Sequence, residues 1–241
     1  MVDNSRDGAG GRSCSAIGTL NEKPLHRALK SWYARPDDGL EVALDGFVID
    51  IVRGDTLIEI QTGSFSSIKR KLEVLTAAHP VRLVYPVARD RWIVRLVVAG
   101  SDDVLGRRRS PKHGGYEHLF AALVSFPRLM ASPNFALEVL LIQEEELRRR
   151  DEKRGWRRHG WVVQERRLLD VVGRRRFDAP EDLVDLLPAG LPVPWSTADL
   201  ARALPCRRRL AQQMAYCLRE MDVIEPAGKQ GNAILYARTR S

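Results

Sequence analysis

The chain has 241 residues, enough for one large domain or two small ones around a sizeable core. Its net charge of +8 and pI near 9.7 favour polyanionic partners such as nucleic acid, although 32 of the 39 basic residues are arginine, a bias that coding composition alone can produce. No apolar run approaches the ~18 residues of a membrane span, the first residues hold no hydrophobic signal core, and three cysteines (Cys14, Cys206, Cys217) without metal-ligand spacing point to a reducing cytoplasm rather than a disulfide framework.

Residues 1–18 are rich in Gly, Ser and Asp without apolar period and read as a disordered tail. Leu25, Ala28, Leu29, Trp32 and Tyr33 then recur at helical spacing, with Asn21 as the expected N-cap. Leu40, Val42 and Leu44 alternate as a strand. Residues 46–61 read as two apolar strands joined by Gly54-Asp55, a strong two-residue hairpin signal. That turn pairs Arg53 with Thr56 and puts Asp50 opposite Glu59, with the two Cβ atoms roughly 4.5–5.5 Å apart. Two carboxylates embedded among Val, Ile and Leu repel one another, and a divalent cation held by both removes the conflict. Gln61 lies two residues beyond Glu59, on the same side of the strand. Phe65, Ile68, Leu72 and Leu75 predict a second helix, and 81–87 and 92–98 predict two further strands around Ala88-Arg89-Asp90.

From Ser101 to Gly115 the chain turns polar and rich in breakers, the expected boundary of the first unit. Residues 106–178 read as a basic intermediate region, mainly helical. Within it Trp156, Arg157 and Arg158 interleave aromatic and basic side chains, as suits stacking on bases and pairing with phosphates; the alternative is a solvated loop anchored by buried tryptophans. Residues 179–241 predict three helices and a terminal hairpin and resemble a winged-helix domain. In that family the third helix enters the major groove and the wing touches the backbone. The resemblance therefore assigns DNA contacts to Arg208, Arg209, Gln212 and Gln213 on the helix and to Lys229 at the wing tip. Winged helices also serve as protein-docking modules.

The order Asp50, eight intervening residues, then Glu59-Ile60-Gln61 resembles the PD-(D/E)XK nuclease superfamily, with Gln61 where the commoner residue is Lys. This resemblance implies an α/β fold class over residues 19–105: a restriction-endonuclease-like core of helix, three strands, helix and two strands. It implies Mg2+, with Mn2+ as a substitute, held by Asp50, Glu59 and the Ile60 carbonyl, with Glu22 of the first helix as an extra ligand. Gln61 would orient the nucleophile by hydrogen bonds alone. Lys69 or Lys71 would then supply the missing positive charge, with Lys69, nearer the start of its helix, preferred. The function so implied is a metal-dependent DNA endonuclease targeted by the winged helix. The alternative is an inactive nuclease fold kept as a DNA-binding regulator or adaptor. DNA is the expected partner and a membrane is not; a homodimer is left open.

Overall fold

Pro24 opens the first helix, where its missing N–H costs no intrahelical bond and its fixed φ is already helical. In the computed structural model, which describes residues 23–97, 103–151, 160–204 and 206–239, that helix is α1 (Pro24–Tyr33) and buries Leu25, Leu29 and Tyr33. Three antiparallel strands follow: β1 (Gly39–Leu44), β2 (Phe47–Arg53) and β3 (Thr56–Ile60). Gly54 takes a φ of +54°, which a side chain would strain, and the Gly54-Asp55 turn sets Arg53 opposite Thr56 and Ile51 opposite Ile58. A short 3₁₀ turn capped by Ser64 leads into α2 (Lys69–Leu75). That crossover is what allows β4 (Val81–Leu96) to lie parallel to β3.

The fold class expected from the resemblance does not hold. The molecule is mostly β, with 43% of the described residues in strands and 29% in helices, and its principal element is one mixed sheet of seven strands. The two strands expected at 81–87 and 92–98 are a single 16-residue strand, β4. Pro86 does not break it, because it falls where β4 has already lost β3 and has not yet met β5 (Val104–Arg109), which pairs from Trp92 onward. The region expected to be mainly helical holds instead β6 (Phe135–Arg150) and β7 (Trp161–Phe177), of 16 and 17 residues, with only α3 (Phe120–Leu123) and short 3₁₀ turns between β5 and β6. The sheet order is β1-β2-β3-β4-β6-β7, with β5 on the side of β4 away from β6.

Charge is what hid these strands. Glu144-Glu145-Glu146 and Arg148-Arg149-Arg150 look like a solvated helix in one dimension, but across the sheet the acids find partners: Arg91 lies 2.6 Å from Glu144 and 3.3 Å from Glu146, and Arg107 2.7 Å from Glu145. Opposite charges facing across strands stabilise the ladder, so a charge run is compatible with a strand once its neighbours carry the other sign.

Two apolar layers flank the sheet. Leu25, Leu29 and Tyr33 of α1 pack with Ile51, Ile58, Val84 and Leu140. The larger cluster joins Leu72 and Leu75 of α2 and Phe120 and Leu123 of α3 to Leu83, Leu137 and Val139 of the sheet. It continues into the C-terminal part, where α4 (Pro180–Val184), α5 (Thr197–Ala203) and α6 (Arg208–Glu220) accompany a small sheet of order β8-β10-β9 (Trp195–Ser196, Ala233–Arg238, Ile224–Gln230). Met214, Cys217 and Leu218 of α6 belong to that same core, and Arg128 reaches Glu220 at 2.9 Å, so the expected boundary at 178/179 is not a break in packing. The hairpin turns at Gly231-Asn232, with Lys229 opposite Ile234, one pair back from the tip. Among the described residues no helix is long and apolar enough to cross a membrane.

Candidate metal centre

Asp50 closes the gap at the open end of the β2–β3 hairpin. Continuing the observed register by one pair places it opposite Glu59, but its side chain bends onto the neighbouring strand, where Oδ2 accepts the Ile60 N–H at 2.8 Å. Its other oxygen, Oδ1, lies 3.2 Å from Nε2 of His26, one turn into α1. Glu59 sits deeper, 5% exposed, with Oε1 2.6 Å from Nζ of Lys71 on α2. The ammonium donates to the Val48 carbonyl at 2.6 Å, and its contact with Oε1 is an ion pair without hydrogen-bond alignment, leaving that buried oxygen without an aligned donor. The two acids thus join the layers on either side of the sheet, Asp50 reaching α1 and Glu59 reaching α2.

The electrostatics separate the pair. Burial, reinforced by the charge of Asp50 and opposed by Lys71, pushes the Glu59 carboxyl up to about 7. Asp50 is also buried, which works against ionisation, but the His26 hydrogen bond and charge and the Ile60 N–H outweigh this and hold it below its ordinary value. Lys71 faces Glu59 and His26 faces Asp50. Asp50 opens onto a cleft of about 570 Å3 whose walls include Lys23, His26 and Lys30 from the α1 side and Gln61, Gly63 and Ser67 from the loop after β3. Glu59 is buried and does not line this cleft.

Gln61 does line this cleft. Its amide nitrogen donates to Ser64 O at 2.7 Å and to Ser67 Oγ at 2.8 Å, which fixes the side chain and leaves the amide carbonyl as an acceptor. Lys69 is half exposed and pairs loosely with Glu73 at 3.8 Å, whereas Lys71 is the cation brought to the acids. Sequence reasoning also passed over His26, because its partner lies 24 residues away; its position one turn before Lys30 on α1, a residue that pairs with Glu41 at 2.6 Å, was the available signal. Glu22, Trp156, Arg157 and Arg158 lie outside the described residues. Arg208, Arg209 and Gln212 are exposed on α6 and Gln213 half-exposed, while Lys229 is exposed on β9. No group of three or more His, Cys, Asp or Glu side chains at metal-holding distance occurs among the described residues.

A family profile described as a domain of unknown function, DUF8091, matches residues 23–178. The chain belongs to this family. The matched DUF8091 segment contains the whole seven-stranded sheet and both acids, and it stops where α4 begins. An uncharacterized protein of Treponema pallidum (strain Nichols) is 30% identical over 226 residues, covering 92% of this chain and 87% of its own length. A match of that extent reaches beyond residue 178, so the likeness includes residues past the DUF8091 segment. No solved structure matches the chain.

Proposed function

We propose that the chain is a metal-dependent phosphodiesterase acting on DNA, with chemistry like that of the PD-(D/E)XK nucleases. The observation that carries this reading is the pair Asp50 and Glu59: a half-buried and a buried carboxylate on adjacent strands, Asp50 lining a cleft, with Lys71 2.6 Å from Glu59 and one buried Glu59 oxygen lacking an aligned donor. A hard divalent cation suits that deficit, since Mg2+ takes one or two carboxylates and fills its remaining positions with water and phosphate. Asp50, Glu59 and the Ile60 carbonyl are the groups that would hold it. When bound, the ion supplies Lewis-acid polarisation of a scissile phosphate and lowers the pKa of a water.

The remaining roles fall to the chain itself. The Ile60 N–H and His26 fix the rotamer of Asp50, so its orientation is set before substrate arrives. Gln61, clamped by Ser64 and Ser67, presents a neutral acceptor that orients a water but has no basicity to deprotonate it. Lys71 provides from α2 the positive charge that a Lys at position 61 would provide from the strand, and it opposes the rise of the Glu59 pKa. Exposed Arg208 and Gln212 on α6 suit contacts with DNA. A second reading, an inactive DNA-binding protein, is favoured by the Lys71 ammonium itself, which sits against Glu59 where a metal would compete with it.

The deciding experiment incubates labelled single-stranded and duplex DNA with the purified protein in Mg2+, in Mn2+ and in chelator. Cleavage that needs metal and is abolished by Asp50→Ala and by Glu59→Ala supports the enzyme. Binding without cleavage in every metal supports the second reading.

A further inference from the structure

The cleft at Asp50 is not isolated. It shares Lys23, Thr62 and Gly63 with a neighbouring hollow of about 380 Å3 between α1 and the first residues of β7. That hollow shares Leu25, Thr62 and Arg166 with a third of about 320 Å3 on the middle of β4. The third shares Lys112, His113 and His118 with a fourth of about 680 Å3 that ends against Arg207, Arg209 and Gln213 at the start of α6. Common lining residues set these four hollows in a row from Asp50 to the start of α6.

The far wall of the row, residues 110–115, is held to the sheet. Ser110 donates its N–H to Arg91 O at 2.7 Å, and the Gly114 N–H reaches Ala88 O at 3.1 Å. A Cβ at Gly114 would meet Ala88 O at 2.5 Å, so the close approach requires glycine. His113 Nδ1 lies 2.9 Å from Asp90, which Arg109 also reaches at 2.6 Å. Apart from Asp50, the acids of the lining, Glu41, Glu117, Glu144 and Glu165, are paired with Lys30, His118, Arg91 and Arg167, while Lys23, Lys112, Arg207 and Arg209 have no carboxylate partner among the described residues. The floor is apolar where it crosses the sheet, with Leu25, Pro86, Val87, Ala88 and Ala121.

Resting on the phosphodiesterase reading, we infer that the four hollows form one groove that carries a single-stranded segment of nucleic acid from α6 to the Asp50–Glu59 centre. Cationic walls with an apolar floor are what a single strand needs, because its phosphates and its unstacked bases are satisfied separately. A duplex presents phosphates to such a groove and has no use for the floor. The hydrophobic and charged groups therefore select the strand, and the positions of Lys112, Arg207 and Arg209 mark its entry.

The test is fluorescence anisotropy on the full chain in chelator, with labelled oligonucleotides of about 16 nucleotides, single-stranded DNA, single-stranded RNA and duplex DNA, over a range of salt. Wild type should prefer a single strand to the duplex. The combined Lys112→Gln, Arg207→Gln, Arg209→Gln variant should lose at least about tenfold in single-strand affinity, and its slope of log K against log salt should flatten by about 2, at roughly 0.7 per lost contact. All three side chains are exposed, so circular dichroism should match wild type. Equal or tighter duplex binding, or an unchanged slope, would overturn the groove. A wild type that cuts with metal while the triple variant keeps its slope defeats the groove alone, and a slope change without any cutting defeats the phosphodiesterase alone.

Discussion

Two groups of buried acids in the same sheet are treated in opposite ways. On the outer half of β4 and β6, Asp90, Glu144 and Glu146 are almost wholly buried, yet each has a guanidinium: Arg109 at 2.6 Å from Asp90, Arg91 at 2.6 Å from Glu144, Arg148 at 2.5 Å from Glu146. The Arg109 hydrogen bond, joined by His113 and Arg89, holds Asp90 far below the usual carboxylate range in spite of burial. At the inner hairpin, Asp50 and Glu59 share one lysine and one histidine, and Glu59 is pushed the other way, up to about 7. Buried acids that are fully paired hold strands together. On the proposed reading, the weaker pairing at Asp50 and Glu59 is where a divalent cation would bind.

Stability should separate the two groups most sharply. Asp90→Ala leaves Arg109 and Arg89 without their acid, a change that costs several kcal/mol for a fully buried pair. Both arginines are about half exposed, and screening by water reduces the expected loss to about 2 kcal/mol by denaturant unfolding. Asp50→Asn should cost under about 1 kcal/mol, because it relieves repulsion as it removes a hydrogen-bond acceptor. Equal losses at the two positions would erase the distinction between them.

A comparable effect is expected from pH. The folded state holds the Glu59 proton more tightly than the unfolded chain does, so this group stabilises the fold fully below its unfolded value, near 4.5, and the contribution is lost as pH rises through about 7. The fall between those values amounts to roughly 3 kcal/mol at most. Glu59→Gln should abolish it, leaving the variant more stable than wild type at pH 8 relative to their difference at pH 5, as thermal melts in chelator would show. Asp50 contributes oppositely, its lowered value adding stability above the unfolded carboxylate range. Lys71→Met, by removing the opposing cation, should move the Glu59 transition to higher pH; an unmoved transition would mean that Lys71 does not act on Glu59.

The smallest effect belongs to Gln61. Gln61→Ala should lower the cleavage rate by weakening orientation of the nucleophile, and Gln61→Lys should retain part of it. Full activity in the Ala variant would leave Gln61 only its bonds to Ser64 and Ser67.

What the sequence disclosed follows the range of the interactions involved. The hairpin at Gly54-Asp55 was legible because turn chemistry is local; its observed pairing ends at Ile51 and Ile58, one step short of the Asp50–Glu59 opposition counted from the turn. The choice between Lys69 and Lys71 was not, since the 3₁₀ turn at Phe65–Ser67 precedes α2 and shifts the phase of the helix that carries them. His26 carries no local signal, because its partner Asp50 sits on another element. The strands β6 and β7 stayed hidden for the same reason: the arginines that make Glu144 and Glu146 acceptable inside a sheet lie on different strands or turn back from the same one, and pairing across strands leaves no period in a single sequence. The winged-helix likeness concealed the core that α6 shares with α3, a contact between segments about ninety residues apart that no local pattern records.

The central claim is that Asp50 and Glu59 are short of one cation, and Mn2+ titration followed by electron paramagnetic resonance tests it most directly. Free Mn2+ should disappear with a stoichiometry of one per chain at pH 8. The signal should be unaffected by Asp90→Ala in protein that remains folded, and the binding should be lost in Asp50→Asn and in Glu59→Gln. Absence of Mn2+ binding in wild type, or binding that survives both hairpin substitutions, would contradict the account.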